Sequence, residues 1–229
     1  LSQHPFRRFW RRFHLTKILL IIGLGFSLLT GGYLFYLAKT TNVKDLQNAL
    51  KATTIIYDKN GDQAGSLTGQ KGTYVELDAI SENLQNAVVA TEDRSFYKNS
   101  GINYGRFFLA ILTLGRSGGG STITQQLAKN AYLSQDQTVE RKAKEFFLAL
   151  EINKKYSKKE ILTMYLNNAY FGNGVWGIED ASKKYFGVSA SQLSLDQSAV
   201  LAGMLKGPEI YNPLYSCLLY TSDAADEAR

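Results

Sequence analysis

The chain has 229 residues, 45% of them hydrophobic, and carries 26 Lys and Arg against 20 Asp and Glu, a formal charge of +6. Five of those bases lie in the first 17 residues, which hold no acid, leaving 21 bases against 20 acids from residue 18 onward, so the body lacks the basic balance that nucleic-acid binding requires. Between Lys17 and Cys217 there is no histidine and no cysteine, which excludes a Ser-His-Asp relay, a Cys-His pair or zinc held on those side chains, and leaves acid-base work to carboxylates, with Lys or Tyr behind them.

Residues 1–17 form a basic arm with Arg7, Arg8, Arg11, Arg12 and Lys17. From Ile18 to Ala38 the chain is uncharged, and a helix of that length, at about 1.5 Å per residue, matches a hydrocarbon core of roughly 30 Å. The stretch exceeds a signal-peptide core and no Ala-x-Ala site follows, so it reads as an uncleaved single-pass anchor. The arm predicts a cytoplasmic N-terminus and an extracellular body, with Tyr33 and Tyr36 at the outer interface.

Residues 39–77 read as a polar stalk and a small β-hairpin, with strands at Thr53–Tyr57 and Thr73–Leu77 separated by Asn60-Gly61 and further glycines. From residue 78 to 214 the signals are helical. Ser81 opens one segment, and Thr122–Gln125, Ser157–Glu160 and Ser194–Gln197 each have the form of a capping box. Phe146 and Leu150, and Ile161, Leu162, Tyr165 and Leu166, recur at helical spacing, which predicts inward faces. The fold class is therefore mainly α. Residues 215–229, around Cys217, do not continue the pattern and are set apart as a non-native tail.

Three clusters carry polar chemistry. Glu92 and Asp93 follow the apolar helical run Ala87–Ala90, which suits either a solvated pair at a helix terminus or a carboxylate partly shielded from water and poised for proton transfer near neutral pH. The run Gly118-Gly-Gly-Ser121-Thr122 leads into a capped helix displaying Thr124, Gln125, Gln126 and Lys129, a geometry that cradles phosphate on backbone N–H groups at the positive end of the helix dipole. An ordinary glycine linker accounts for it equally well. Arg141, Lys142 and Glu145 share one helix, with Arg141 and Glu145 at i and i+4, which suits either a structural ion pair or a pyrophosphate with a divalent metal. Gly172-Asn-Gly174-Val-Trp-Gly177 follows a helical pattern instead of a strand, so it reads as a helix stop and tight turn in a groove wall, with Tyr170, Phe171, Trp176, Tyr185 and Phe186 assigned to the core ahead of the alternative, a ligand platform.

In order, Glu92-Asp-Arg-Ser-Phe96 with Gly101, Gly120-Ser-Thr-Ile-Thr-Gln-Gln-Leu-Ala-Lys-Asn130, Arg141-Lys-Ala-Lys-Glu145, Ile161–Asn167 with Gly172, Gly177 and Tyr185-Phe-Gly187, and Leu201 through Pro208 to Tyr211-Asn-Pro213 resemble the five motifs of the peptidoglycan glycosyltransferases, family 51, found in class A penicillin-binding proteins. The resemblance spans about residues 53–214. It implies a lysozyme-like domain that polymerises lipid II into β-1,4 glycan at the outer membrane face by an inverting single displacement. Glu92 would be the general base. Glu145, with Lys129, Arg141 and Lys142, would hold the donor pyrophosphate and its divalent cation, Mg or Mn, with Glu145 reaching the metal through the pyrophosphate. Asp93, Phe96, Ser121, Thr122, Thr124, Gln125, Gln126 and Asn167 would complete the substrate site. The implied partners are lipid II, the growing lipid-linked glycan, the membrane and cell-wall synthesis proteins, with no nucleic acid.

Two departures stand out. Asn99 replaces the family's histidine and is expected to brace its loop, and the chain turns into the tail where class A proteins continue toward a transpeptidase domain, so penicillin binding is not expected of it. The alternatives are a peptidoglycan-cleaving hydrolase with a single catalytic Glu, or a membrane-anchored scaffold. Cations at Lys129, Arg141 and Lys142 favour the transferase, since a neutral glycosidic bond has no pyrophosphate to release.

Overall fold

A computed structural model describes residues 15–40, 53–68, 72–113, 120–133 and 138–214. The arm before residue 15, most of the stalk, Gly118, Gly119 and the segment 215–229 lie outside the described residues. The chain divides into two compact units, residues 1–42 and 43–229.

The first unit holds α1, Leu15–Thr40, of which Lys17–Leu37 is long and apolar enough to cross a membrane by length and composition, with a mean hydropathy of 2.1. Two of its hydroxyls bond locally: Thr30 donates to the Phe26 carbonyl and Thr40 to that of Tyr36. Such bonding back to the preceding turn is what lets threonine sit in an apolar helix.

The second unit begins with β1, Thr53–Tyr57, paired antiparallel to β2, Gln63–Thr68, with Thr53 opposite Thr68. The Asp58 carboxylate closes the turn by accepting the N–H groups of Asn60 and Asp62, and Gly61 supplies φ +86°. The strand expected at Thr73–Leu77 is not formed. Gln63–Thr68 occupies the ladder, and residues 73–76 run extended into a 3-10 turn at Leu77–Ala79. Their backbone finds side chains instead: Thr73 N–H donates to Asp180, while Val75 donates to Asn167 Oδ1 and accepts from Asn167 Nδ2, both at 2.8 Å.

Among the described residues seven helices follow: α2 Glu82–Glu92, α3 Tyr104–Leu112, α4 Ile123–Tyr132, α5 Val139–Lys155, α6 Lys158–Asn168, α7 Ile178–Phe186 and α8 Leu195–Met204. The three boxes form, since Thr122, Ser157 and Ser194 each accept the N3 amide while Gln125, Glu160 and Gln197 reach back. A fourth, Ser189 with Gln192, opens the 3-10 turn Ala190–Gln192. Ser81 precedes α2 without capping it and donates to the Leu193 carbonyl instead. α7 stops at Gly187, left-handed at φ +71°.

Helix α6 is the axis of this unit. Residues 161–167 are all buried, so the helix is enclosed on every side where the sequence predicts one inward face. α4 packs on α5 and α6, and α8 on α2, around Leu84, Val88, Ile123, Leu127, Ile152, Met164, Leu166, Phe171 and Leu201. Each such side chain stabilises by about 1.5–3 kcal/mol when withdrawn from water. On α5 the buried stripe is Glu145, Leu148, Ala149 and Ile152 rather than Phe146 and Leu150, which are only partly covered. Phe146 packs on Phe107 of α3 instead, ring centroids 5.0 Å apart.

Candidate active site

Glu92 is the last residue of α2, and the Asp93 that follows fixes where that end lies. The Asp93 side chain is buried and accepts from Ser95 N–H and Oγ, from Asn99 Nδ2 on both oxygens, and from the Ile123 N–H at 3.4 Å. Ile123 is the first residue of α4, so this carboxylate ties the end of one helix to the start of another. Asn99 braces the loop as expected: its Oδ1 accepts from Gly101 N–H and from Lys158 Nζ, which lies 4.7 Å over the Phe96 ring. Burial pushes the Lys158 ammonium below the usual lysine range, and the Asp93 charge partly restores it.

Gly101 makes the next link. Its φ is +92°, and a Cβ there would fall 2.6 Å from the Ala149 carbonyl oxygen, so a side chain is excluded on both counts. Its own carbonyl accepts from Thr122 Oγ1 at 2.6 Å. Thr122 and Gln125 are thus spent on capping α4 and are buried.

With α4 so placed, Gln126 faces Glu92. Its Nε2 donates to Glu92 Oε2 at 2.6 Å, and its Oε1 accepts from the Tyr165 hydroxyl at 3.1 Å. Tyr165 is buried in α6, and its hydroxyl is pushed well above the usual phenol range by burial and by the charge of Glu92. Gln126 and Tyr165 open onto a cleft of about 470 Å³ whose wall includes Lys129, Asn130, Tyr170, Trp176, Lys206 and Pro208. The turn after α6 shapes that wall: Gly172, Asn173, Gly174 and Gly177 all have positive φ, and Tyr170 bridges to Trp176 with rings 4.9 Å apart. Of the five aromatics assigned to the core there, Phe171 is fully buried, whereas Tyr170 and Trp176 line the cleft.

The second cluster meets the start of the same helix. Glu145 is buried at 1% exposure on α5; Oε2 accepts from Arg141 Nη1 at 3.1 Å, and Oε1 accepts from Lys142 Nζ. Lys142 also donates to Ser121 Oγ at 2.8 Å. Ser121 and Gln126 are five residues apart, so one short stretch at the start of α4 touches both the Glu92 and the Glu145 clusters. The buried carboxylate thus sets the orientation of two cations beside the start of α4.

A family profile described as Transglycosylase matches residues 60–228. The chain belongs to the transglycosylase family. This transglycosylase chain is 80% identical over 212 residues to penicillin-binding protein 2a of Streptococcus pneumoniae serotype 2, covering 93% of this chain and 29% of that protein. It is 41% identical to penicillin-binding protein 1A of Aquifex aeolicus, covering 85% of this chain and 28% of that one. With penicillin-binding protein 1A/1B of Bacillus subtilis the identity is 39%, over 87% of this chain and 22% of the relative. The transglycosylase chain spans less than a third of the length of these curated relatives.

Several residues expected at the substrate are held elsewhere. Phe96 is fully buried in the core. Asn167 is fully buried with its amide committed to the Val75 backbone and the Thr163 carbonyl. Asp93, Thr122 and Gln125 are buried and spent on positioning, and Thr124 is fully buried. A resemblance marks such residues without separating those that hold the wall from those that face the cleft. Gln126 and Lys129 do line it; Tyr165, Tyr170, Trp176 and Lys206 are lining residues the sequence reading did not assign, the aromatic pair having been signalled only by its place in a glycine-rich turn.

The divalent cation implied by the resemblance does not fit as a protein-held ion. Both oxygens of Glu145 already meet cations, and no group of three His, Cys, Asp or Glu comes together among the described residues. A hard divalent ion takes oxygen ligands, and two neighbouring cations oppose it.

Proposed function

We propose that this domain polymerises lipid II into β-1,4-linked glycan by an inverting single displacement, with Glu92 as general base. One observation carries the reading: a partly buried carboxylate at the end of α2, held on Oε2 by Gln126, itself a residue of the cleft wall, while Oε1 accepts nothing among the described residues. In the reaction, Oε1 takes the proton of the acceptor 4-hydroxyl as that oxygen attacks the anomeric carbon, and the bond to the lipid diphosphate breaks on the opposite side. The leaving diphosphate is met by Lys129, Arg141 and Lys142, cations placed before charge develops. Glu145 acts by aiming Arg141 and Lys142 rather than by touching substrate.

The mainly helical body supports a lysozyme-like architecture, and α1 supports a single-pass anchor with the domain on the outer face, where lipid-tethered donor and acceptor both lie. In that place cell-wall synthesis proteins are its natural partners. The test uses the full chain in detergent with labelled lipid II. Wild type makes polymer and Glu92→Gln makes none while melting within about 3 °C of wild type, as a surface-edge substitution should. Polymer from Glu92→Gln at the wild-type rate would refute the base assignment, and release of muropeptides from whole wall would point to lysis instead.

A further inference from the structure

Two residues of the cleft are linked in a way that the reaction alone does not require. The Gln126 side chain is a planar amide with a donor end and an acceptor end, and only one of its two orientations serves a carboxylate. Turned one way, its NH2 group faces Glu92 Oε2; turned the other, a carbonyl oxygen faces an anion and repels it. The acceptor end of the amide meets the Tyr165 hydroxyl at 3.1 Å, and the donor end meets Glu92 at 2.6 Å. Tyr165 comes from α6, which is enclosed along residues 161–167, so its oxygen is fixed in position by the core and not by the cleft. Burial and the Glu92 charge both keep that hydroxyl protonated, so it remains a donor through any working pH.

We propose that Tyr165 is a positioning residue for the base: by donating to Gln126 Oε1 it locks the amide in the orientation that holds Glu92 Oε2 and leaves Oε1 to face the acceptor hydroxyl. The proposal rests on the reading of Glu92 as general base. Tyr165 touches neither sugar nor diphosphate in this scheme. Its influence passes through one amide, and losing it frees that amide to turn, leaving the carboxylate without a fixed partner in part of the population.

The test is Tyr165→Phe in the full chain, which keeps the ring in the core and deletes only the hydroxyl. Leaving the Gln126 carbonyl without its donor predicts a fall in kcat of about tenfold to a hundredfold, the usual effect of one unmade buried hydrogen bond, with KM for lipid II within about twofold. A loss carried mainly by KM, or no loss at all, overturns the proposal. In a Gln126→Met background, where no amide remains to orient, adding Tyr165→Phe lowers kcat by less than about twofold, because the two residues act as one unit; a further tenfold loss overturns it.

A spectroscopic readout separates this inference from the proposed function. With side-chain amides labelled, the Gln126 Nε2 protons of wild type show one resonance shifted by the carboxylate, and both that shift and its sharpness are lost in Tyr165→Phe. An unchanged Gln126 signal in a folded Tyr165→Phe protein overturns the positioning role whatever the activity. Wild type that makes no polymer while its Gln126 signal responds to Tyr165→Phe overturns the glycosyltransferase reading and leaves the amide lock standing.

Discussion

Replacing Asp93 by alanine removes one carboxylate and orphans everything aimed at it. Five hydrogen bonds end there, from Ser95 N–H at 3.2 Å, Ser95 Oγ at 2.9 Å, Asn99 Nδ2 at 3.2 and 2.9 Å, and Ile123 N–H at 3.4 Å. Hydrogen bonds to a charged group contribute about 1.5–3 kcal/mol each when taken singly. They are not additive here, because Asn99 Nδ2 also reaches Ser95 Oγ at 3.3 Å and can retain that partner. Asn99 still accepts from Lys158, but the ammonium loses its countercharge. The expected loss is therefore about 3–5 kcal/mol, in the range for breaking a buried charged network. For a domain of this size each kcal/mol lowers Tm by roughly 2–4 °C, giving a fall of about 6–20 °C by differential scanning calorimetry.

The pH dependence of that loss has a definite sign. A lysine whose folded pKa lies below its unfolded value penalises the fold while charged, fully below the folded pKa, and the penalty is relieved as pH rises through it. Without Asp93 the penalty grows, so the gap between variant and wild type narrows as pH rises toward about 10. Asp93→Asn keeps an acceptor for Ser95 and Asn99 but sets an NH2 group against the Ile123 amide, so it should lose about half as much as alanine. A fall in Tm below about 3 °C for Asp93→Ala, or a gap that widens with rising pH, refutes the reasoning.

Three further outcomes follow from the same geometry. Asn167→Ala forfeits three hydrogen bonds to backbone and should cost about 2–4 kcal/mol in urea unfolding, yet leave KM for lipid II unchanged in the protein that remains folded, since the amide faces the core. Glu145→Gln should cost about 2 kcal/mol of stability, less than a wholly buried pair because the Lys142 side chain is 43% exposed, and should lower kcat/KM at least tenfold as Arg141 and Lys142 lose their aim. The Glu179 carboxyl is raised by burial but lowered more by the Lys183 ammonium and the hydrogen bonds from Ala190 N–H and Ser189, so its folded pKa lies below the unfolded one. Its stabilisation is present above about pH 4.3 and lost as pH falls through the folded value, so Glu179→Gln should flatten acid unfolding monitored by circular dichroism.

Helix starts were legible because a capping box is local: the atoms that close it lie three residues apart, as at Thr122, Ser157 and Ser194. The carboxylate at the end of α2 was legible for the same reason. The second strand was misplaced because Thr73–Leu77 has β-branched and aromatic composition but gives its backbone to Asn167 and Asp180, partners about a hundred residues away. Long range also hid the contact of Glu92 with Gln126, 34 residues apart, and that of Gln126 with Tyr165, 39 apart. Phe146 was placed inward by spacing alone, whereas three-dimensional packing rotates α5 to bury Glu145 with Leu148, Ala149 and Ile152. Periodicity gives a stripe, but which stripe turns inward depends on neighbours that a single helix does not encode.

The clamp on residues 73–75 has a mechanical consequence. Where Thr73 and Val75 join the helical body, the chain is gripped by an amide on α6 and a carboxylate on α7, with Gly72 close enough to the Trp176 carbonyl that a Cβ there would lie 2.1 Å from it. A pull delivered along the backbone from the N-terminal side meets these bonds before it can unwind α2 or any helix after it. The grip sits on the same turn and helix that wall the cleft, so strain arriving from that side would be felt at Trp176 and Tyr165 first.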